Sequence, residues 1–272
     1  MAERQTRVRF TNERGHELVG DLVRPLAPAR AWAVFAHCFA CSRQSHAARR
    51  VAGALALHDI GVLRFDFAGV GASEGDIAGS GFAGHVADLQ AAARFLEAEV
   101  GAPVQLLVGH SLGGAAVVAA AGGLADVRAV VTIGAPASPA HLARKFQGAD
   151  ARLPAGAAAC LEIGGQRICV DQAFLDELEA HDLAGDAAAL RRPLLVMHAP
   201  LDEIVGIDEA GKLFAAAKHP KSFVSLDDAD HLLTRAEDAA FAADVVAAWA
   251  GRYLPMAEDS SPPEGAVAVR ET

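Results

Sequence analysis

The sequence predicts an α/β protein built on a mostly parallel sheet. Short β-branched runs alternate with longer Ala-rich helical stretches along most of the 272 residues. Parallel strands must be joined by crossovers, usually helical, so this alternation is their imprint on a sequence. The chain is also 52% hydrophobic, enough to cover both faces of a sheet. Alanine dominates the apolar set, so helices are expected to pack close. No internal repeat is visible.

The elements follow in order. Arg7–Asn12 and Glu17–Pro25 read as a hairpin across Glu13-Arg14-Gly15-His16, Trp32–His37 as a buried strand, and Ser42–Leu57 as a helix. Val62–Phe67 is the next strand. Phe82, Val86, Leu89, Ala93 and Leu96 recur at helical spacing and predict an amphipathic helix to about Val100. Val104–Val108, Ser111–Ala121 and Val127–Ile133 predict strand, helix and strand.

Residues 137–190 break this rhythm with two predicted helices and the segment Cys160–Cys169, where Gly164-Gly165 is a two-residue hairpin signal. The stretch reads as a cap inserted over the sheet. A strand at Leu194–His198, a helix at Ala210–Ala217, a strand at Ser222–Leu226 and a helix at Ala239–Tyr253 then resume the alternation. The expected division is one domain over 1–254, with the cap at about 137–190, followed by 255–272. There Glu258-Asp-Ser-Ser-Pro-Pro-Glu264 has a linker composition, and Gly265–Thr272 alternates like the opening of a strand with no partner left in the chain.

The formal charge is −10 and no Lys/Arg run occurs. Such a surface repels phosphate backbones and anionic lipid, so neither nucleic acid nor a membrane surface is an expected partner. Met-Ala-Glu-Arg-Gln-Thr-Arg leads into no apolar signal region, and no stretch of 18 apolar residues lacks charges or turn residues. The cytoplasm is the expected location, which makes Cys38, Cys41, Cys160 and Cys169 thiols by expectation.

The most informative motif is Gly109-His110-Ser111-Leu112-Gly113, preceded by a strand and followed by an Ala-rich helix. A serine held on a sharp strand-to-helix turn has a strained backbone and an exposed hydroxyl. Glycines flank it because a Cβ there would crowd the turn. The helix start also aims amide N–H groups at developing negative charge. Serine alone is a poor nucleophile and needs a base, which needs an orienting acid.

Downstream of Ser111, Asp202 lies just past the strand Leu194–His198, and His231 just past the strand Ser222–Leu226. Both positions are carboxyl-terminal strand ends, where open α/β sheets keep their sites, and the order serine, acid, histidine is that of the α/β-hydrolase fold. Glu203 and Asp230 are the alternative acids. His110, His198 and His219 are expected to serve packing or the rim. No H-E-x-x-H or similar spacing occurs, so neither metal nor cofactor is expected.

Acyl transfer creates an oxyanion that preorganised N–H groups must meet. The Leu112 amide is one candidate. The second lies in the loop His37-Cys38-Phe39-Ala40-Cys41-Ser42. Many members of the fold carry His-Gly-X at this place, which makes the Phe39 amide the donor and sets Cys38 where glycine is usual. Cys38 and Cys41 also form a C-x-x-C. Beside such a loop a thioredoxin-like role does not fit, and packing is expected for Cys38, with a redox switch as the alternative.

Taken together, His37–Ser42, Arg64–Gly69, Gly109–Gly114, His198–Asp202, His219–Leu226 and Ala229–Leu233 resemble the α/β-hydrolase part of bacterial bifunctional proteins fused to an OsmC-like domain. The resemblance runs from about residue 7 to 254. It implies a cytoplasmic esterase-like serine hydrolase, with an OsmC-like domain as a fused or separate partner. A small-molecule carboxylic ester of small or medium acyl group is the expected substrate. Amide, peptide or thioester hydrolysis uses the same machinery, and a non-catalytic or redox-regulated module is the reading from another class.

Hairpin arithmetic makes a last expectation. A turn at Gly164-Gly165 sets Glu162 opposite Arg167 and Cys160 opposite Cys169. Cys160 and Cys169 then form a non-hydrogen-bonded pair roughly 4.5 Å apart at Cα, expected as two apposed thiols.

Overall fold

The computed structural model describes residues 3–38, 41–140, 143, 153, 154, 157–163 and 166–255. Its strands are β1 (Glu3–Thr11), β2 (Glu17–Pro25), β3 (Ala31–Ala36), β4 (Ile60–Phe65), β5 (Val104–His110), β6 (Ala129–Ile133), β7 (Ala158–Ile163), β8 (Gln166–Asp171), β9 (Leu194–His198) and β10 (Lys221–Ser225). Eight of them form one sheet in the order β1-β2-β4-β3-β5-β6-β9-β10. β1 and β2 run antiparallel and β2 pairs antiparallel with β4, while the remaining pairs are parallel. Every residue of β4, β5, β6 and β9 is buried. A parallel sheet covered on both faces demands that, and it explains why these strands read as continuous apolar runs.

The helices divide between the faces. α1 (His46–Leu57) and α7 (Ala236–Ala250) pack on one side through Ala48, Val51, Leu55, Ala243 and Val246. α2 (Ile77–Val100), α3 (Leu112–Ala121), α5 (Leu183–Ala189) and α6 (Ile207–Ala216) cover the other. α4 (Gln172–Ala180) lies on α2 through Phe174, Leu175 and Leu178.

Several helix starts differ from expectation: α6 and α7 each begin three residues earlier, and α1 and α2 are set by their caps. α1 begins at His46 because the Ser45 hydroxyl accepts from Ala48 N at 3.3 Å, so residues 42–45 precede the helix. α2 begins at Ile77 on the Asp76 cap and breaks at Gly81, whose φ is 64°. Glu177 of α4 approaches that break, and its carboxylate accepts from Ala83 N.

Between β6 and β9, the β7–β8 hairpin forms its own two-stranded sheet. Its register is the expected one: Glu162 opposes Arg167 and Cys160 opposes Cys169. The expectation of free thiols is corrected here. Cys160 and Cys169 are joined by a disulfide, with Cα atoms 4.0 Å apart. Compartment reasoning argued for thiols, but register partners this close bring their sulfurs within bonding reach. The Gly164-Gly165 turn and the expected linker and strand at 256–272 lie outside the described residues. Among the described residues, no helix is long and apolar enough to cross a membrane.

Candidate active site

β5 ends at His110, Ser111 follows, and α3 opens at Leu112. Ser111 has φ 56° and ψ −125°. For a residue with a Cβ this conformation costs about 1–3 kcal/mol, so its surroundings must hold it. They do. Ser111 N donates to the Ile133 carbonyl at 2.8 Å, tying the turn to the end of β6. A Cβ on Gly109 would come 2.2 Å from the Gly113 carbonyl oxygen, and one on Gly113 would come 2.4 Å from both the Ala36 and His37 oxygens. Glycine is required at both positions by close backbone approach. As the first residue of α3, Leu112 presents an N–H with no intrahelical acceptor.

The acid and the histidine meet across two loops. His231 Nδ1 lies 2.7 Å from Asp202 Oδ2, and both residues are 8% exposed. Asp202 Oδ1 accepts from the amides of Ile204 and Val205, each at 2.8 Å. Burial pushes the Asp202 carboxyl up. The His231 hydrogen bond and charge, with those two amides, outweigh burial and hold it below the usual carboxylate range. An ionised Asp202 fixes the proton on His231 Nδ1 and leaves Nε2 as a bare acceptor.

The alternative acids are placed elsewhere. Glu203 and Asp230 are exposed, and Asp230 accepts from Thr234 N at 2.9 Å. His198 is buried, with Nε2 donating to the Val205 carbonyl at 2.8 Å, so it braces the Asp202 loop. His219 is exposed.

His110 joins serine and histidine. Its Nε2 donates to the His231 carbonyl at 2.6 Å, and the two rings are 5.1 Å apart. A Cβ on Gly134, just past Ile133, would lie 3.3 Å from His231 Nδ1. The Ser111 turn and His231 thus share a wall.

The loop after β3 completes the surroundings. His37 and Cys38 are buried, and their strand end presses on Gly113. Cys38 and Cys41 are bonded to each other, so the expectation of thiols is corrected here too. Phe39, the expected second oxyanion donor, lies outside the described residues. His37 Nδ1 donates to the Cys38 carbonyl at 2.7 Å, and the same oxygen accepts from Cys41 N at 3.0 Å.

Arg43, 4% exposed, anchors the far end of this loop. Its amide donates to Asp66 Oδ1 at 2.6 Å, while its guanidinium pairs with Asp66 and, at 3.2 Å, with Asp21. Sequence reasoning named His37 only as the first residue of the oxyanion loop, and missed its bond to the Cys38 carbonyl and this Arg43–Asp66–Asp21 clamp. The available signal was two aspartates beside or within apolar strands, Asp21 inside β2 and Asp66 directly after β4. Beside His231 opens a cleft of about 430 Å³ lined by Leu201, Glu203, Ile204, Asp228, Asp230 and Leu232, among others.

Residues 27–188 match the family described as Serine aminopeptidase, S33 (Hydrolase_4). The chain belongs to this family of α/β hydrolases. The match spans more than half of the chain and ends before Asp202 and His231. The structure is similar to the esterase domain of a Rhodothermus marinus protein, at 46% identity, TM-score 0.77, 92% of this chain and 99% of that one. Est1E of Butyrivibrio proteoclasticus, solved with ferulic acid bound, shares the fold at 16% identity, TM-score 0.76, 90% of this chain and 98% of that one. The Pyrococcus furiosus esterase Pf2001 shares it at 18% identity, TM-score 0.71, 92% and 93%. No curated protein matches. This is an esterase-like α/β hydrolase.

One consequence of this buried centre concerns stability. Burial, and after it His231, lowers the His110 pKa to about 3; burial, then His37 and Arg14, does the same to His85. Both rings stay neutral in the fold and take up a proton at the ordinary value of 6.5 once unfolded. The unfolded chain therefore binds more protons across that window, and stability is lost as pH falls from 6.5 towards 3. Each such histidine contributes a slope of up to about 1.4 kcal/mol per pH unit. His85→Phe is expected to flatten the dependence of the urea midpoint on pH between about 5.5 and 4. A slope equal to that of the parent protein would contradict the burial argument.

Proposed function

We propose that this protein hydrolyses carboxylic esters through an acyl-enzyme, with Ser111 as nucleophile, His231 as base and Asp202 as its orienting acid. The observation that carries the reading is the buried Asp202–His231 hydrogen bond of 2.7 Å, beside a serine held at φ 56° between a strand and a helix. His231 Nε2 takes the Ser111 proton as Oγ attacks the carbonyl carbon. The oxyanion is received by the Leu112 amide and, in this proposal, by the Phe39 amide. His231 then protonates the departing alcohol, and water activated by the same nitrogen releases the acid.

The 46% identity to an esterase domain supports an ester over other acyl compounds. The motif His37–Ser42 supports the further proposal that the chain is related to hydrolase halves of OsmC-fused proteins. One observation favours a second reading. The family description names an aminopeptidase, and the cleft beside His231 carries the carboxylates of Glu203, Asp228 and Asp230, which suit a substrate's ammonium group.

Turnover should be compared on p-nitrophenyl esters of two to twelve carbons and on aminoacyl p-nitroanilides. The ester reading expects kcat/KM to peak among short or medium esters. A larger kcat/KM on an aminoacyl anilide than on every ester would replace it with the peptidase reading.

A further inference from the structure

Cys38 and Cys41 are not used by the proposed acyl transfer, yet they sit in its loop. Their disulfide closes the C-x-x-C, with Cα atoms 5.2 Å apart. Cys38 is 3% exposed and Cys41 is half-buried. A third group points at them. His110 is fully buried, and a nitrogen of its ring lies within 4.8 Å of both sulfurs.

The tautomer of His110 is fixed by its other nitrogen. Nε2 sits 2.6 Å from the His231 carbonyl, which can only accept, so Nε2 carries the proton and Nδ1 is a bare lone pair. That Nδ1 has no hydrogen-bond partner. A disulfide has no hydrogen to give it; a thiol does. A buried acceptor left unmet disfavours the state that leaves it so, here the oxidised one. The hairpin pair Cys160–Cys169 lies on a separate sheet and has no such neighbour among the described residues.

We propose that Cys38–Cys41 is a redox-active pair exchanging with small thiols, and that His110 Nδ1 accepts the thiol hydrogen of the reduced form. The thiolate of a reductant attacks Sγ of Cys41, the less buried of the two, and Cys38 Sγ leaves with the electron pair and takes up a proton. A second reductant thiol resolves the mixed disulfide, giving two protein thiols and one reductant disulfide. Two electrons and two protons pass to the pair.

The test is run on the full chain carrying Cys160→Ser and Cys169→Ser, which isolates this pair. The protein is equilibrated in glutathione buffers of graded ratio, trapped with maleimide and weighed intact. Reversible passage between the two forms is expected. His110→Gln keeps an amide N–H for the His231 carbonyl and lacks the acceptor at the Nδ1 position. It should shift the ratio about fivefold towards the disulfide, ~20 mV. His110→Asn restores an oxygen near the Nδ1 position and should stay within about twofold of the parent.

A pair that stays oxidised at every ratio, or never oxidises, overturns the proposal, and this arm needs no His110 variant to fold. A folded His110→Gln protein with the parent ratio overturns the role of Nδ1. These readouts count thiols and not turnover, so failure here is distinguishable from failure of the hydrolase reading.

Discussion

Replacing Ser111 by Ala is expected to remove ester turnover, lowering kcat on p-nitrophenyl acetate by about 10⁴-fold or more. The fold should survive. Ser111 is half-buried at the turn, and its amide bond to Ile133 belongs to the backbone and not to the hydroxyl. Alanine at φ 56° bears the same strain as serine, so the thermal midpoint is expected to stay within a few degrees. Members of such a triad act as a unit, which is why losing one costs nearly the whole catalytic factor. Turnover within tenfold of the parent would remove Ser111 from the mechanism.

The second large effect belongs to Asp202→Asn. The carboxylate accepts three hydrogen bonds, from His231 Nδ1, Ile204 N and Val205 N. An amide can keep the backbone bonds through its oxygen, but its NH₂ group would then face His231 Nδ1. The imidazole would have to present a lone pair there and carry its proton on Nε2, where a base needs none. A loss of about 10⁴-fold in kcat is expected, with KM changed far less. Glu203→Gln and Asp230→Asn should stay within about threefold, because neither carboxylate reaches His231. If either of those variants loses more than Asp202→Asn, the acid has been assigned to the wrong residue.

Much of this site was legible in the sequence because its parts sit at strand ends. Ser111, Asp202 and His231 each follow a short apolar run by only a few residues, and a parallel sheet delivers all such ends to one edge. The glycines of the elbow were equally legible, since each avoids a backbone contact that any Cβ would make.

What the sequence hid depends on distance across the chain. Arg43 finds Asp21 and Asp66, and His110 finds the sulfurs of Cys38 and Cys41, through packing that no local periodicity encodes. The start of α2 was missed because the hydrophobic repeat begins only after the Gly81 break, one turn beyond the Asp76 cap. The disulfides were misread because an inferred compartment was given more weight than register, although the hairpin arithmetic had already set Cys160 opposite Cys169.

The central claim is that Ser111 is the nucleophile, and a covalent trap reads it most directly. The protein is treated with a fluorophosphonate, digested, and the modified peptide sequenced by mass spectrometry. The account predicts one stoichiometric adduct on the peptide containing Gly109-His110-Ser111-Leu112-Gly113, located on Ser111 and absent from Asp202→Asn over the same exposure. No adduct on the folded protein, or an adduct on any other residue, would contradict it.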